Sequence, residues 1–144
     1  MNDTRRTIAI NSCLRLASMS DFGEVNRVIE LGCGFGHLTE AIRRSGFSAV
    51  GVDVSYEAVR KARDRNPMCV FVNRSFNDPK VLEDFDPDII IMAEVTWYIL
   101  SELDEFLGRL RSYAKERDRP TYLIHLLSTY APGEQRYGLE FFNA

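Results

Sequence analysis

Five short apolar runs separated by helix-like segments constrain this chain more than any other feature. Residues 27–31 (RVIEL), 49–54 (AVGVDV), 68–73 (MCVFVN), 88–92 (DIIIM) and 121–127 (TYLIHLL) carry the β-branched and apolar content of strands. Residues 89–92 are apolar without interruption, as a strand covered on both faces must be. The intervening segments have helical spacing. Residues 35–44 place Leu38, Ala41 and Ile42 on one face, with Gly46 as the stop. Ser55 is an N-cap for a helix to Arg65, which Pro67 ends. Residues 79–84 form a short helix or turn. Residues 100–115 put Leu103, Phe106, Leu107, Leu110 and Tyr113 on one side. An irregular amphipathic helix over 5–20 precedes the first strand, with Ile8, Ile10, Leu14, Leu16, Ala17 and Met19 as its apolar residues. Strand–helix alternation implies an α/β fold with parallel pairing and right-handed crossovers. In such a sheet, ligands bind beyond the carboxyl ends of the strands.

The chain has 144 residues, enough for one domain. The organisation expected is one unit: an N-terminal helix in 1–22, a core over 27–127 and a tail over 128–144. A net charge of −3 without a basic block argues against nucleic acid. The run Arg109, Arg111, Lys115, Arg117, Arg119 reads as the solvated face of a helix. Cys13, Cys33 and Cys69 form neither a disulfide framework nor a zinc-ligand pattern, so no metal is expected and a reducing, cytoplasmic setting is. The first residues read as neither a signal peptide nor a membrane span.

The first strand runs into Glu30-Leu31-Gly32-Cys33-Gly34-Phe35-Gly36. Glycines here permit positive φ, and the following helix offers unpaired N–H groups to a ligand. The dinucleotide fingerprint would place its third glycine at 37, where His37 stands. Asp53 ends the second strand, where a carboxylate can accept two hydrogen bonds from vicinal ribose hydroxyls.

ELGCGFG resembles motif I of class I S-adenosylmethionine-dependent methyltransferases, and DVSYEAVRKAR (53–63) is similar to the segment that follows that family's second strand. DIIIMAEVTWYIL (88–100) resembles its small-molecule branch, nearest to the nodulation-factor type of N-methyltransferase. The resemblance implies a Rossmann-like three-layer αβα methyltransferase fold of about five parallel strands, without the family's usual last two. It implies S-adenosyl-L-methionine as cofactor, held by Glu30, Gly32, Cys33, Gly34, Gly36, His37, Asp53, Val54, Ser75, Phe76, Ala93, Glu94 and Val95. Ser75 stands where the family usually has an acidic residue meeting the adenine amino group. The acceptor implied is a small molecule, such as an amino sugar, methylated on N or O. No (D/N/S)-P-P-(Y/F) tetrapeptide is present, which disfavours amino methylation of DNA bases.

Glu94 and His125 are the candidate catalytic residues, either as a helper for deprotonating an acceptor. Each also has a bland alternative, a helix cap and a core strand histidine. Trp97, Tyr98, Tyr130, Arg136 and Tyr137 are candidate acceptor contacts, the last three in a tail segment similar to the same branch. With the last two strands missing, the fifth strand is an apolar edge, expected to be covered by the tail or by a second subunit as a homodimer. Two other readings stay open: a non-catalytic cofactor-binding or protein-interaction module, and a nicotinamide-dependent oxidoreductase, which the glycine spacing disfavours.

Overall fold

The computed structural model describes residues 3–20 and 24–127. In chain order the elements are α1 (Asp3–Met19), β1 (Arg27–Leu31), α2 (His37–Arg44), β2 (Ser48–Asp53), α3 (Tyr56–Arg65), β3 (Val70–Asn73), α4 (Lys80–Phe85), β4 (Ile89–Ala93), α5 (Thr96–Ile99), a 3-10 turn (Leu100–Glu102), α6 (Leu103–Lys115) and β5 (Tyr122–Leu126). The strands form one parallel sheet in the order β3-β2-β1-β4-β5. The parallel α/β architecture expected from the alternation is present, in the Rossmann-like form that the resemblance implies.

Alternation of side chains along β1 and β4 divides the core between two faces. Val28, Ile89 and Ile91 pack under α1 and α2 with Ala9, Cys13, Leu38 and Ile42. Ile29, Leu31, Ile90 and Met92 pack on the other face with Val81, Leu82, Ile99, Phe106 and Leu110 from α4, α5 and α6. Both faces of β4 are dry, which is why its sequence is apolar at every position from 89 to 92. Each large side chain buried this way contributes roughly 1.5–3 kcal/mol.

Two helices bury different residues from those their apolar patterns suggest. On α1 the inner stripe is Ala9 and Cys13, spaced i, i+4, while Ile8, Leu14 and Met19 are exposed. Small residues at the contact let the helix lie close to α2 and β5, and its larger residues flank that contact. On α6, Leu107 is exposed, turned off the stripe of Phe106 and Leu110. The helix expected from residue 35 begins at His37, because Gly36 holds φ 76° and cannot be helical. Ser55 caps α3 as expected, accepting from the Ala58 N–H at 3.2 Å.

The basic run at 109–119 is a solvated helix face only at Arg111 and Lys115; Arg109, Arg117 and Arg119 are engaged in contacts. The helix ends at Lys115, and the Arg117 side chain is only 7% exposed. Its guanidinium bonds Asp88 Oδ1 at 3.2 Å, Asp86 Oδ1 at 3.0 Å and the Pro87 carbonyl at 2.7 Å. Arg119 and Arg27 pair with the same two aspartates. Asp88 Oδ2 accepts the backbone N–H groups of Asn26 and Arg27. Asp88, buried at the N-terminal end of β4, needs these cations to offset its desolvation.

β5 is the sheet edge, with Leu123 and Leu127 exposed. The tail assigned to cover it, with Tyr130, Arg136 and Tyr137, lies outside the described residues. No helix among the described residues is long and apolar enough to cross a membrane.

Glu30 on β1 is fully buried against α2, where it accepts a hydrogen bond from the Thr39 hydroxyl. Burial raises its pKa from 4.5 to about 8; the Thr39 bond opposes this shift and the nearby Asp53 charge adds to it. Folded protein therefore binds more protons than unfolded protein between these values, and stability falls as pH rises through about 8. Glu30→Gln keeps a neutral hydrogen-bonding group, so its stability relative to the parent should grow from pH 5 to pH 8.5 in urea titrations. Replacing Asp88 by Ala, which strands Arg117 without its buried partner, should lower stability by about 3–5 kcal/mol. Arg60→Ala, at an exposed helix pair, should leave the urea midpoint unchanged.

Candidate active site

The carboxyl ends of β1, β2 and β4 open into a cavity of about 520 Å³, within the range of small-molecule sites. Its apolar lining includes Leu31, Val52, Val54, Phe76, Met92, Val95 and Ile99; Asp53, Arg74, Glu94 and Glu102 bring charge to it.

The glycine loop is built around Asp53. Gly32 and Cys33 donate their N–H groups to the Val52 carbonyl at 2.8 and 3.0 Å, which draws the loop over the end of β2. Gly34 N–H then donates to Asp53 Oδ2 at 2.8 Å, and Ser55 N–H to Asp53 Oδ1 at 2.8 Å. Each carboxylate oxygen keeps a second lone pair. Gly32 has φ 75°, and a Cβ there would lie 2.6 Å from Val95 Cγ2. Only glycine lets the loop pass this close to the wall formed after β4.

Behind the loop, Glu30 and Cys33 are buried and contribute structure instead of cavity wall. Burial pushes the Cys33 thiol far up, with the charges of Glu30 and Asp53 adding to it, so it stays protonated. Gly34 and Gly36 shape the turn without lining the cavity. His37 faces a separate polar depression with Arg6, Glu40, Ala41, Arg44 and Asn66.

Past β4 the chain turns sharply. Glu94 takes φ 60°, and its N–H donates to the Leu126 carbonyl at 2.9 Å. Its carboxylate lines the cavity and pairs with Arg5 Nη1 of α1 at 3.4 Å. Val95 and Ile99, at i, i+4 on α5, both face the cavity, as does Tyr98, which is 85% exposed. Ala93, Val54, Ser75 and Phe76 also line it. Phe76 stacks edge-on against Phe106 at 5.5 Å, so one residue serves both wall and core.

Two expected contributors lie elsewhere. Trp97 is not in the lining. His125 is outside it as well; its Nε2 meets the Thr96 hydroxyl at 2.5 Å, tying β5 to the start of α5. The structure thus brings together Gly32, Asp53, Val54, Ser75, Phe76, Ala93, Glu94, Val95 and Tyr98. Sequence reasoning passed over Leu31, Val52, Ser55, Arg74, Met92, Ile99 and Glu102 as lining residues. The i, i+4 spacing of Val95 and Ile99 is the sequence signal for α5.

An uncharacterized methyltransferase of Alkaliphilus oremlandii (strain OhILAs) is 30% identical over 87 residues, covering 56% of this chain and 40% of that protein. Among solved structures, WbdD aligns with TM-score 0.71 at 18% identity, over 95% of this chain and 31% of that one. The plantazolicin methyltransferase BpumL in complex with SAH aligns with TM-score 0.60 at 19% identity, over 76% of this chain and 42% of that one. Both structural likenesses are of fold. The chain spans less than half the length of each of these proteins. Residues 3–139 match the family model of the methyltransferase domain, and the chain belongs to that family.

Proposed function

We propose that the chain binds S-adenosylmethionine in this cavity and directs its methyl group to N or O of a small acceptor, such as an amino sugar. The observation that carries the reading is the Asp53 carboxylate, fixed at the cavity wall by two backbone N–H groups and still able to accept from two ribose hydroxyls. The residues present fit the group. The apolar walls suit an adenine ring, and the close approach of Gly32 to Val95 would be filled by any Cβ.

When bound, the cofactor supplies a methyl on a sulfonium, displaced in line by an acceptor lone pair while the carbon–sulfur electron pair stays on sulfur. The chain's own part is positioning and exclusion of water. Glu94 is at the cavity wall nearest to β5 and the exposed Tyr98 is on α5. A carboxylate at Glu94 would accept the proton of the acceptor amine or hydroxyl, once Arg5 yields its place. Tyr98 offers a ring for acceptor packing. His125, bonded to Thr96, has no part in this reading.

In calorimetry, S-adenosylhomocysteine should bind and nicotinamide dinucleotides should not. Asp53→Ala should weaken the former by roughly a hundredfold, the equivalent of losing two charge-assisted hydrogen bonds. Unchanged affinity would remove the basis of the site. Transfer of a labelled methyl to members of a metabolite panel, abolished in Glu94→Ala, tests the reaction itself.

A further inference from the structure

Glu102 belongs to no expected site, yet it lines the cavity from the 3-10 turn after α5. It is held there by a relay from two other elements. Arg109 on α6 donates to both the backbone and the side-chain carbonyl of Asn77, in the loop after β3. That fixes which way the Asn77 amide faces, and its Nδ2 donates to Glu102 Oε2. Glu102 Oε1 has no protein partner among the described residues. Three elements therefore converge to place one carboxylate, with an open oxygen, at the end of the cavity where the β3–α4 loop closes it.

We infer that Glu102 accepts a hydrogen bond from the 6-amino group of the adenine ring, and thereby selects adenosine over a 6-oxopurine nucleoside. The inference rests on the cofactor reading above and adds to it the group that reads the base. With the ribose on Asp53 at β2 and the methyl directed to the Glu94 side at β4, the base extends toward β3, the next strand outward in the sheet. There the walls are apolar, with Val54, Phe76 and Ile99, and an amino group in such a slot requires an acceptor. The other polar side chains of the lining offer a weaker acceptor or are drawn elsewhere. Arg74 has only donors and is paired with Asp84 at 2.6 Å. Ser75 Oγ accepts the Asn77 N–H at 3.1 Å and Ser55 Oγ caps α3, so each hydroxyl keeps one neutral lone pair, as does the Tyr98 hydroxyl, and a neutral acceptor is weaker than a carboxylate. Glu94 is drawn to α1 by Arg5. Glu102 remains, and it is an acceptor on both oxygens.

Calorimetric titration of S-adenosylhomocysteine and its 6-oxo counterpart, S-inosylhomocysteine, into three proteins tests this. The unaltered chain should prefer the adenosyl compound by roughly tenfold or more. Glu102→Ala should lose that preference, with adenosyl affinity down by about tenfold. In Glu102→Gln the amide carbonyl takes the Asn77 donor and the NH₂ meets the base, so the preference should shift toward the 6-oxo compound. Glu102 is exposed on a short turn, and matching thermal midpoints would establish that both variants are folded. If S-adenosylhomocysteine binds the unaltered chain and the preference survives in both variants, the assignment of Glu102 is wrong while the cofactor reading stands. Failure of S-adenosylhomocysteine to bind the unaltered chain overturns both.

Discussion

The carboxylate of Asp53 organises the working end of this molecule. Its two oxygens take the N–H of Gly34 from one turn and the N–H of Ser55 from the next. One side chain thus sets both the path of the glycine loop and the start of α3. Both partners are backbone amides, which cannot rotate away, so the carboxylate is fixed before any ligand arrives. A charged acceptor fixed in advance at the rim of an apolar cavity binds with little ordering cost. The glycines serve this arrangement: at φ 52° Gly34 bends the loop back to Asp53 without the strain a side chain would add.

Polarity in the fold follows from covering both faces of the sheet. With the middle of β1 and β4 dry, charges are confined to the ends of the strands. At the N-terminal end, Asp86 and Asp88 are matched by Arg27, Arg117 and Arg119 in a closed network. At the C-terminal end, Asp53, Glu94 and Glu102 share one cavity with Arg74. Removing one partner from the first cluster leaves a buried charge unpaired, so that cluster serves stability. The second keeps acceptor capacity unspent, which a stability element has no reason to do and a binding site requires.

What was legible in the sequence is what depends on local pattern. Residues 27–31 match β1 because Val28, Ile29 and Leu31 form a short apolar run that Gly32 ends. Gly32 and Asp53 were legible because their chemistry is tied to a turn and a strand end. Arg117 was not: its partners are about 30 residues away, and no periodicity encodes an ion network between a loop and the base of a strand. Glu102 escaped for a similar reason. Its role depends on Asn77 and Arg109, which meet only in three dimensions. The position of His125 near the end of β5 is that of a site residue, but its contact with Thr96 outside the cavity lining is set by α5, which no strand pattern announces.

The remaining tension lies at Glu94. A non-glycine residue with φ 60° costs on the order of 1 kcal/mol or more, and here it is held by the Leu126 carbonyl and by Arg5. In the arrangement described, Arg5 neutralises the carboxylate that the proposed chemistry needs as a proton acceptor. For Glu94 to act, that pair must open, and the pair is half-buried at 3.4 Å, still reached by the water that would replace it. Opening it loosens a tie between α1 and the end of β4 at the moment a cationic acceptor offers a replacement charge. On that reading the N-terminal helix would be coupled to occupancy of the cavity, although its own stripe of Ala9 and Cys13 packs on the far side of the sheet from α5.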